Sequence, residues 1–282
     1  ATPFYTCKPS CPSRYHVDEP AHQRASAPRP HVSMALNSSA MPPAAAQHRY
    51  YPPGVEVPGY VANTLSTPAV LAVFCATVSA VLLPTYLAIR RARPGLPPGE
   101  VATALWFVLC GFIHLGLEGH FALHAHHIGG LSDVLTQAWK EYSLSDSRYL
   151  TRDTFVVCME TVTAIVWGPL AFLCAYGIVA GRAWRHPLQS AVSLGQLYGD
   201  VLYYATCTFD ALVRQQAYSR PERYYYWGYY VFLNSFWICI PAVLLAQSGR
   251  ATTRAFARLR GRASSSNTRA GGAGVSNRRA RE

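Results

Sequence analysis

The sequence predicts an all-α, polytopic membrane protein: a bundle of five transmembrane helices. Three observations lead there. Half of the 282 residues are hydrophobic and only 14% are charged, too apolar for an ordinary soluble domain. Apolar stretches recur along the chain, each roughly long enough for a hydrocarbon layer of about 30 Å. The arginines gather in Arg90–Glu100, in Gly181–His186 and after Gln247, with nine of them between Arg250 and Arg281. Five crossings place these three segments on one side. By the positive-inside rule that side is cytoplasmic, and the N-terminal region is lumenal.

Residues 1–50 are rich in Pro, Ala, Ser and His, show no apolar period, and read as a disordered tail. The sequence opens on Ala1 while Met34 and Met41 lie further in, and translation from either would leave the first few dozen residues unmade. No cleavable signal is recognisable there, so the first apolar segment is expected to direct insertion. Residues 51–67 continue HRYYPPGVEVPGYV (His48 to Val61), whose Tyr and Pro suit an interfacial lead-in. The first span, 68–89, has no ionisable residue and reads as structural. Four further helices occupy the region 99–247. The second span is about 101–123, and a polar loop over 124–153 contains WKEYSLSDSRY. The third span is about 154–180 and the fourth about 187–208. The fourth is the weakest, because Gln196, Asp200 and several tyrosines interrupt it. Gln196, Asp200 and Tyr203 share a face, so the segment can cross if that face points inward. The loop 209–223 leads to the fifth span, 224–247. Residues 248–282 form a basic tail, expected to be disordered and to lie near anionic headgroups. Nucleic acid is not expected as a partner, since no groove-reading motif accompanies the net charge of +11.

Six of the eight cysteines (Cys75, Cys110, Cys158, Cys174, Cys207 and Cys239) fall in or beside apolar segments, where free cysteine behaves as a small hydrophobe. Cys7 and Cys11 lie in the N-terminal tail, and no CxxC pair supports a zinc knuckle or a redox motif.

The candidate site starts from WFVLCGFIHLGLEGHF, Trp106 to Phe121. It is apolar enough for a bilayer yet carries His114 and Glu118, whose spacing puts both on one helix face. Ionisable groups inside a membrane segment are costly and usually face a protein interior with a task. The third span carries Glu160, with Thr163 one turn on. The fifth carries Asn234 and Trp237 on a common face, and mid-segment an indole can stabilise a cation in a dry pocket. Together these read as walls of one intramembrane site that handles protons. The bland alternatives are a structural His–Glu pair, a protonated structural Glu160 and an interfacial Trp237. Asp200 is either a site residue or a helix-packing partner. HFALHAHH, His120 to His127, resembles one box of membrane di-iron enzymes. Six histidines outside the N-terminal tail fall short of the several boxes that chemistry needs, so no metal is expected.

CGFIHLGLEGHF, WKEYSLSDSRY, CMETVTAIVWGPL, GQLYGDVLYY and YYVFLNSFW, in that order, resemble the emopamil-binding protein family. That family comprises the sterol Δ8–Δ7 isomerases within the wider EXPERA group, and the match runs from about residue 48 to 247. The resemblance implies a multi-pass endoplasmic reticulum protein with a sterol-sized intramembrane pocket and a cytoplasmic C-terminus. It implies cofactor-free migration of a ring double bond from C8 to C7 in sterol biosynthesis. His114, Glu118 and Glu160 match the acid-base positions, and Asn234 and Trp237 match those that stabilise the cationic intermediate. Tyr149, Met159 and Thr163 match pocket positions, to which Asp200 is added from its place on the inward face. A sterol substrate, cationic amphiphilic amine inhibitors, membrane lipids and a homodimer are the partners it suggests. The chemistry of the residues agrees: an alkene shifts when an acid protonates one carbon and a base deprotonates the far neighbour, with a π face for the cation and water excluded. Which group gives the proton and which takes it stays open. The alternative is a non-catalytic EXPERA protein that binds sterols or cationic amines; a proton-coupled transporter is disfavoured by the lack of repeat symmetry.

Overall fold

The computed structural model describes residues 48–279, and side-chain surroundings as far as Arg262. Of the tail 1–50 expected to be disordered, residues 1–47, with Cys7 and Cys11, lie outside the described residues. The described part is helical, with no strand among the described residues.

Helix α1, Thr67–Ala92, begins with proline in its first turn, where the missing N–H costs nothing. Only 6% of its most apolar stretch is buried, so it turns Leu71, Phe74, Leu83 and Leu87 outward. Helix α2, Pro98–His124, packs against α1 and runs back across the bundle. Helix α3, Val134–Tyr142, is short and is started by Asp133, whose Oδ1 accepts from the Thr136 N–H at 3.0 Å. Helix α4, Thr154–Val179, is capped in the same way by Asp153 and ends before Gly181, which takes φ +63° beyond the last turn. Helix α5 is Arg185–Val213. Helix α6 opens as the wide turn Tyr225–Leu233 and continues as Asn234–Arg279.

α1, α2, α4 and α6 are long and apolar enough to cross a membrane. α5, expected as the fourth crossing, lies outside that set by composition. Its burial pattern is nonetheless inverted relative to a soluble helix. Gln189, Ser193, Gln196, Tyr203 and Asp210 are buried, whereas Leu194, Val201, Phe209 and Leu212 point outward, Leu212 with 71% of its surface exposed. A helix that hides its polar face and shows its apolar one is suited to an apolar surrounding. α6 also differs from expectation, running on past Gln247 where an unstructured tail was expected to begin. Its continuation over Ala251–Arg262 is built largely of alanine, arginine and leucine, all strong helix formers.

One end of the bundle gathers the basic loops. Arg185 forms a two-pronged ion pair with Glu100, and Arg93 donates to the Val179 carbonyl at 2.7 Å. At the other end the lead-in is folded onto α3. Tyr50 Oη donates to the Lys140 carbonyl, and Lys140 Nζ donates to Val61 and Leu131 carbonyls. Gln137 Oε1 accepts from the N–H groups of Thr64 and Leu65.

The polar segment Ser143–Arg148, part of the loop expected over 124–153, is buried. Two of its hydroxyls are satisfied locally, Ser143 and Ser145 donating to the Trp139 and Tyr142 carbonyls, and Ser147 donates across to the Tyr51 carbonyl of the lead-in. Asp146 and Arg148 form a closed ion pair in which the guanidinium makes several bonds to one carboxylate.

Helix contacts near the middle of the bundle rely on missing side chains. A Cβ on Gly195 of α5 would run into the Trp167 ring of α4. Gly195→Val is therefore expected to cost about 1–3 kcal/mol by overpacking, read as a lower thermal midpoint of the purified protein in detergent.

Candidate active site

Three helices carry a wide π turn: Ile113–Glu118 in α2, Thr163–Trp167 in α4 and Tyr225–Leu233 at the start of α6. Such turns are rare and concentrate at functional sites, because one extra residue frees carbonyls and re-aims side chains. Here each lies at a candidate site residue: His114 and Glu118 are in the first, Thr163 opens the second, and Asn234 follows the third. The displaced carbonyls are satisfied by side chains. Leu117 O accepts from Trp139 Nε1 at 2.8 Å, and Val231 O accepts from Tyr204 Oη at 2.8 Å.

The first π turn brings His114 Nδ1 to 2.8 Å from Glu118 Oε2, with the imidazole 2% exposed and the carboxyl 12%. Close packing holds the ring: a Cβ on Gly168 of α4 would lie 2.7 Å from Leu115 Cγ and 3.4 Å from His114 Cβ. The Glu160 carboxyl of α4, also buried, lies close enough to Glu118 and His114 to interact electrostatically with both. Tyr149 Oη, from the turn after α3, donates to Glu160 Oε1 at 2.7 Å. Burial first, then the adjacent Glu160 carboxyl, hold the Tyr149 phenol well above its ordinary range, so it stays a donor. Gln196 of α5 meets the other ring nitrogen, its Nε2 lying 3.0 Å from His114 Nε2. Two hydrogen-bonded sets result, Tyr149–Glu160 and Glu118–His114–Gln196, drawn from four segments of the chain.

An aromatic layer closes the site at the α3 end. Trp139 stacks on Tyr149 with centroids 4.5 Å apart, and Phe121 and Tyr142 meet the same ring at 5.1 and 5.4 Å. Burial also pushes the Tyr142 phenol up, keeping it protonated. Tyr142 Oη accepts from Asn234 Nδ2 at 2.8 Å and lies 3.3 Å from Tyr203 Oη, while the same Asn234 nitrogen donates to Tyr230 O.

The candidate residues therefore fall into separate groups. His114, Glu118, Glu160 and Tyr149 are brought together. Asn234 belongs to a separate hydrogen-bonded set with Tyr142 and Tyr203. Trp237 packs against Trp106, centroids 5.4 Å apart. Met159 packs against the aromatic core, and the Thr163 hydroxyl is turned back onto the Met159 carbonyl at 2.8 Å. Asp200 is partly buried, and its Oδ2 has no hydrogen-bond partner, as is also true of Trp106 Nε1. Gln196 was recognised on the inward face of α5 but not as a neighbour of His114, a pairing with no signal in linear spacing. Trp106, Tyr142 and Tyr203 were not singled out as candidate site residues either.

His120, His124, His126 and His127 lie in a run of ring contacts, with His120 Nε2 at 2.9 Å from Thr136 Oγ1 and 3.4 Å from Asp133. Among the described residues no group of three or more His, Cys, Asp or Glu side chains is arranged to hold a metal ion.

Comparison with known proteins gives a consistent picture. A family model described as EXPERA (EXPanded EBP superfamily) matches residues 134–248. The 3-beta-hydroxysteroid-Delta(8),Delta(7)-isomerase of Mus musculus is 38% identical over 209 residues, covering 74% of this chain and 90% of that protein. That of Cavia porcellus is 36% identical over 203 residues, covering 71% and 87%. The protoglabretal synthase of Citrus sinensis is 37% identical over 140 residues, covering 49% of this chain and 64% of that one.

Proposed function

The chain belongs to the family of the 3-beta-hydroxysteroid-Δ(8),Δ(7)-isomerases within the EXPanded EBP superfamily, and from that premise we propose that it is a sterol Δ8–Δ7 isomerase that needs no cofactor. The observation that carries the proposal is the pair of hydrogen-bonded sets Tyr149–Glu160 and Glu118–His114 held inside an apolar bundle. Moving a double bond from C8=C9 to C7=C8 requires a proton delivered to C9, leaving a tertiary cation at C8. Loss of a proton from C7 then turns its C–H electron pair into the new π bond. One proton enters and one leaves, with no change of oxidation state. Two carboxyls and an imidazole brought together supply an acid and a base for these steps.

Asn234 and Trp237 are assigned to the cation. An amide oxygen and an indole face both interact favourably with positive charge in a dry site. Tyr149, Met159, Thr163 and Asp200 are assigned to the sterol pocket, where the lone Asp200 Oδ2 is a ready acceptor for a ligand hydroxyl. A site built for a cation also suits cationic amphiphilic amines as inhibitors. α5 is assigned as the fifth crossing because its polar face is the buried one. With five crossings the arginine-rich end is cytoplasmic and carries the C-terminus, in the endoplasmic reticulum membrane, among lipids and compatible with a homodimer.

The test is expression in a yeast strain lacking its own Δ8–Δ7 isomerase, with sterols measured by mass spectrometry. Restoration of Δ7-sterols is the expected result. A well-expressed protein that leaves Δ8-sterols unchanged would replace this reading with the non-catalytic sterol- or amine-binding one.

A further inference from the structure

We propose that the arginine-rich end of the bundle holds one anionic glycerophospholipid in a cleft between α2, α5 and α6, with its phosphate on Arg250 and Arg254 and an acyl chain along Val243. None of these residues belongs to the site around His114 and Glu160, so the cleft is independent of the isomerase reading.

The cleft has a volume of about 560 Å³, within the range of small-molecule sites. α6 supplies its long wall, through Val243, Gln247, Arg250 and Arg254. Steps of four, three and four residues put these side chains on one helix face, ~16 Å from end to end at about 1.5 Å per residue. That face changes character along its length. Val243 is apolar and 67% exposed, Gln247 follows one turn on, and the exposed Arg250 and Arg254 come two and three turns on. Apolar, then amide, then cationic is the order in which a phospholipid runs from chain to phosphate. The change falls where the apolar stretch of α6 gives way to its basic continuation, which is where a membrane places its headgroups.

The facing wall does not oppose an anion. Glu100 of α2 carries the one carboxylate in the lining, and the Arg185 guanidinium of α5 already closes on it with both prongs. Arg250 and Arg254, by contrast, have no side-chain partner among the described residues. Three arginines against one carboxylate leave two positive charges uncompensated in the cleft. A guanidinium stays charged at any working pH, and its planar fork matches phosphate oxygens two at a time. A free phosphate would engage these forks but would leave the apolar end of the same face unused. A tail drawn loosely to an anionic leaflet would use all of its arginines alike. The cleft instead singles out two of them, since Arg258 and Arg260 lie further along α6 and do not line it.

The test is native mass spectrometry of the full chain, released from detergent after incubation with phosphatidylinositol or with phosphatidylcholine. Wild type is expected to retain one phosphatidylinositol in preference to phosphatidylcholine. Arg250→Gln with Arg254→Gln is expected to weaken that binding about 10- to 30-fold, at about 1 kcal/mol for each basic side chain. Arg258→Gln with Arg260→Gln removes the same charge outside the cleft and is expected to leave binding unchanged. All four arginines are exposed, so neither pair of changes puts the fold at stake. Glycerophosphoinositol, the same headgroup without acyl chains, is expected not to displace the lipid. A wild type that shows no preference overturns the proposal. Equal losses from the two double variants overturn it in favour of diffuse attraction by the tail. Displacement of the lipid by equimolar glycerophosphoinositol overturns it in favour of a site for a free anion.

Discussion

Glu160→Gln is expected to lower kcat for a Δ8-sterol about 10²- to 10⁴-fold, the range for loss of a general acid or base, with KM little affected. Glutamine keeps the size of the side chain and an oxygen that can accept from Tyr149 Oη, so packing and the aromatic layer survive. What it removes is a carboxyl able to exchange a proton with the alkene. Glu118→Gln removes the other carboxyl and is expected to be comparably damaging: an amide can still accept from His114 Nδ1, but it cannot give or take a proton. The check is turnover of a purified Δ8-sterol by each variant, with deuterium from heavy water followed into the product. Wild type is expected to place one solvent deuterium at C9. A Glu160→Gln protein that turns over at the wild-type rate would take Glu160 out of the chemistry.

How much of this was legible beforehand differs by feature, for physical reasons. α1, α2, α4 and α6 were legible because their hydropathy exceeds any competing signal, and His114 with Glu118 because four-residue spacing on a helix is a local property. Three features were not. The π turns leave no mark on hydropathy, since inserting one residue into an apolar run changes neither its length nor its composition appreciably. The Gln196–His114 contact joins residues 82 positions apart on α5 and α2, and one sequence carries no pairing information over that distance. The burial of Ser143–Arg148 was not legible because its polarity is spent internally. Serine hydroxyls bonded to carbonyls a turn back, and a carboxylate closed on a guanidinium, need no water, yet composition counts them as though they did.

Breaking the Asp146–Arg148 pair is expected to be the most damaging change away from the acid-base site. Both side chains are almost completely buried, the guanidinium bonded to both carboxylate oxygens, to Thr206 Oγ1 at 2.9 Å, and lying over the Tyr203 and Tyr218 rings at 4.9 and 5.2 Å. Asp146→Ala leaves that cation buried without its counter-charge, at a cost of about 3–5 kcal/mol. The penalty is for the orphaned charge rather than for the lost pair. Asp146→Leu combined with Arg148→Met is therefore expected to recover much of the stability that either single change loses. The measurement is thermal unfolding of Asp146→Ala, of Arg148→Met and of the double variant in detergent, followed by monodispersity on size exclusion. A double variant no more stable than Asp146→Ala would show that the pair contributes through its specific bonds and not through mutual neutralisation. Arg148 directly precedes Tyr149, and the turn they share is packed against α5 through Thr206. Movement of that turn withdraws the Tyr149 hydroxyl from Glu160, so isomerase activity in Asp146→Ala is expected to fall at temperatures where the bundle is still folded.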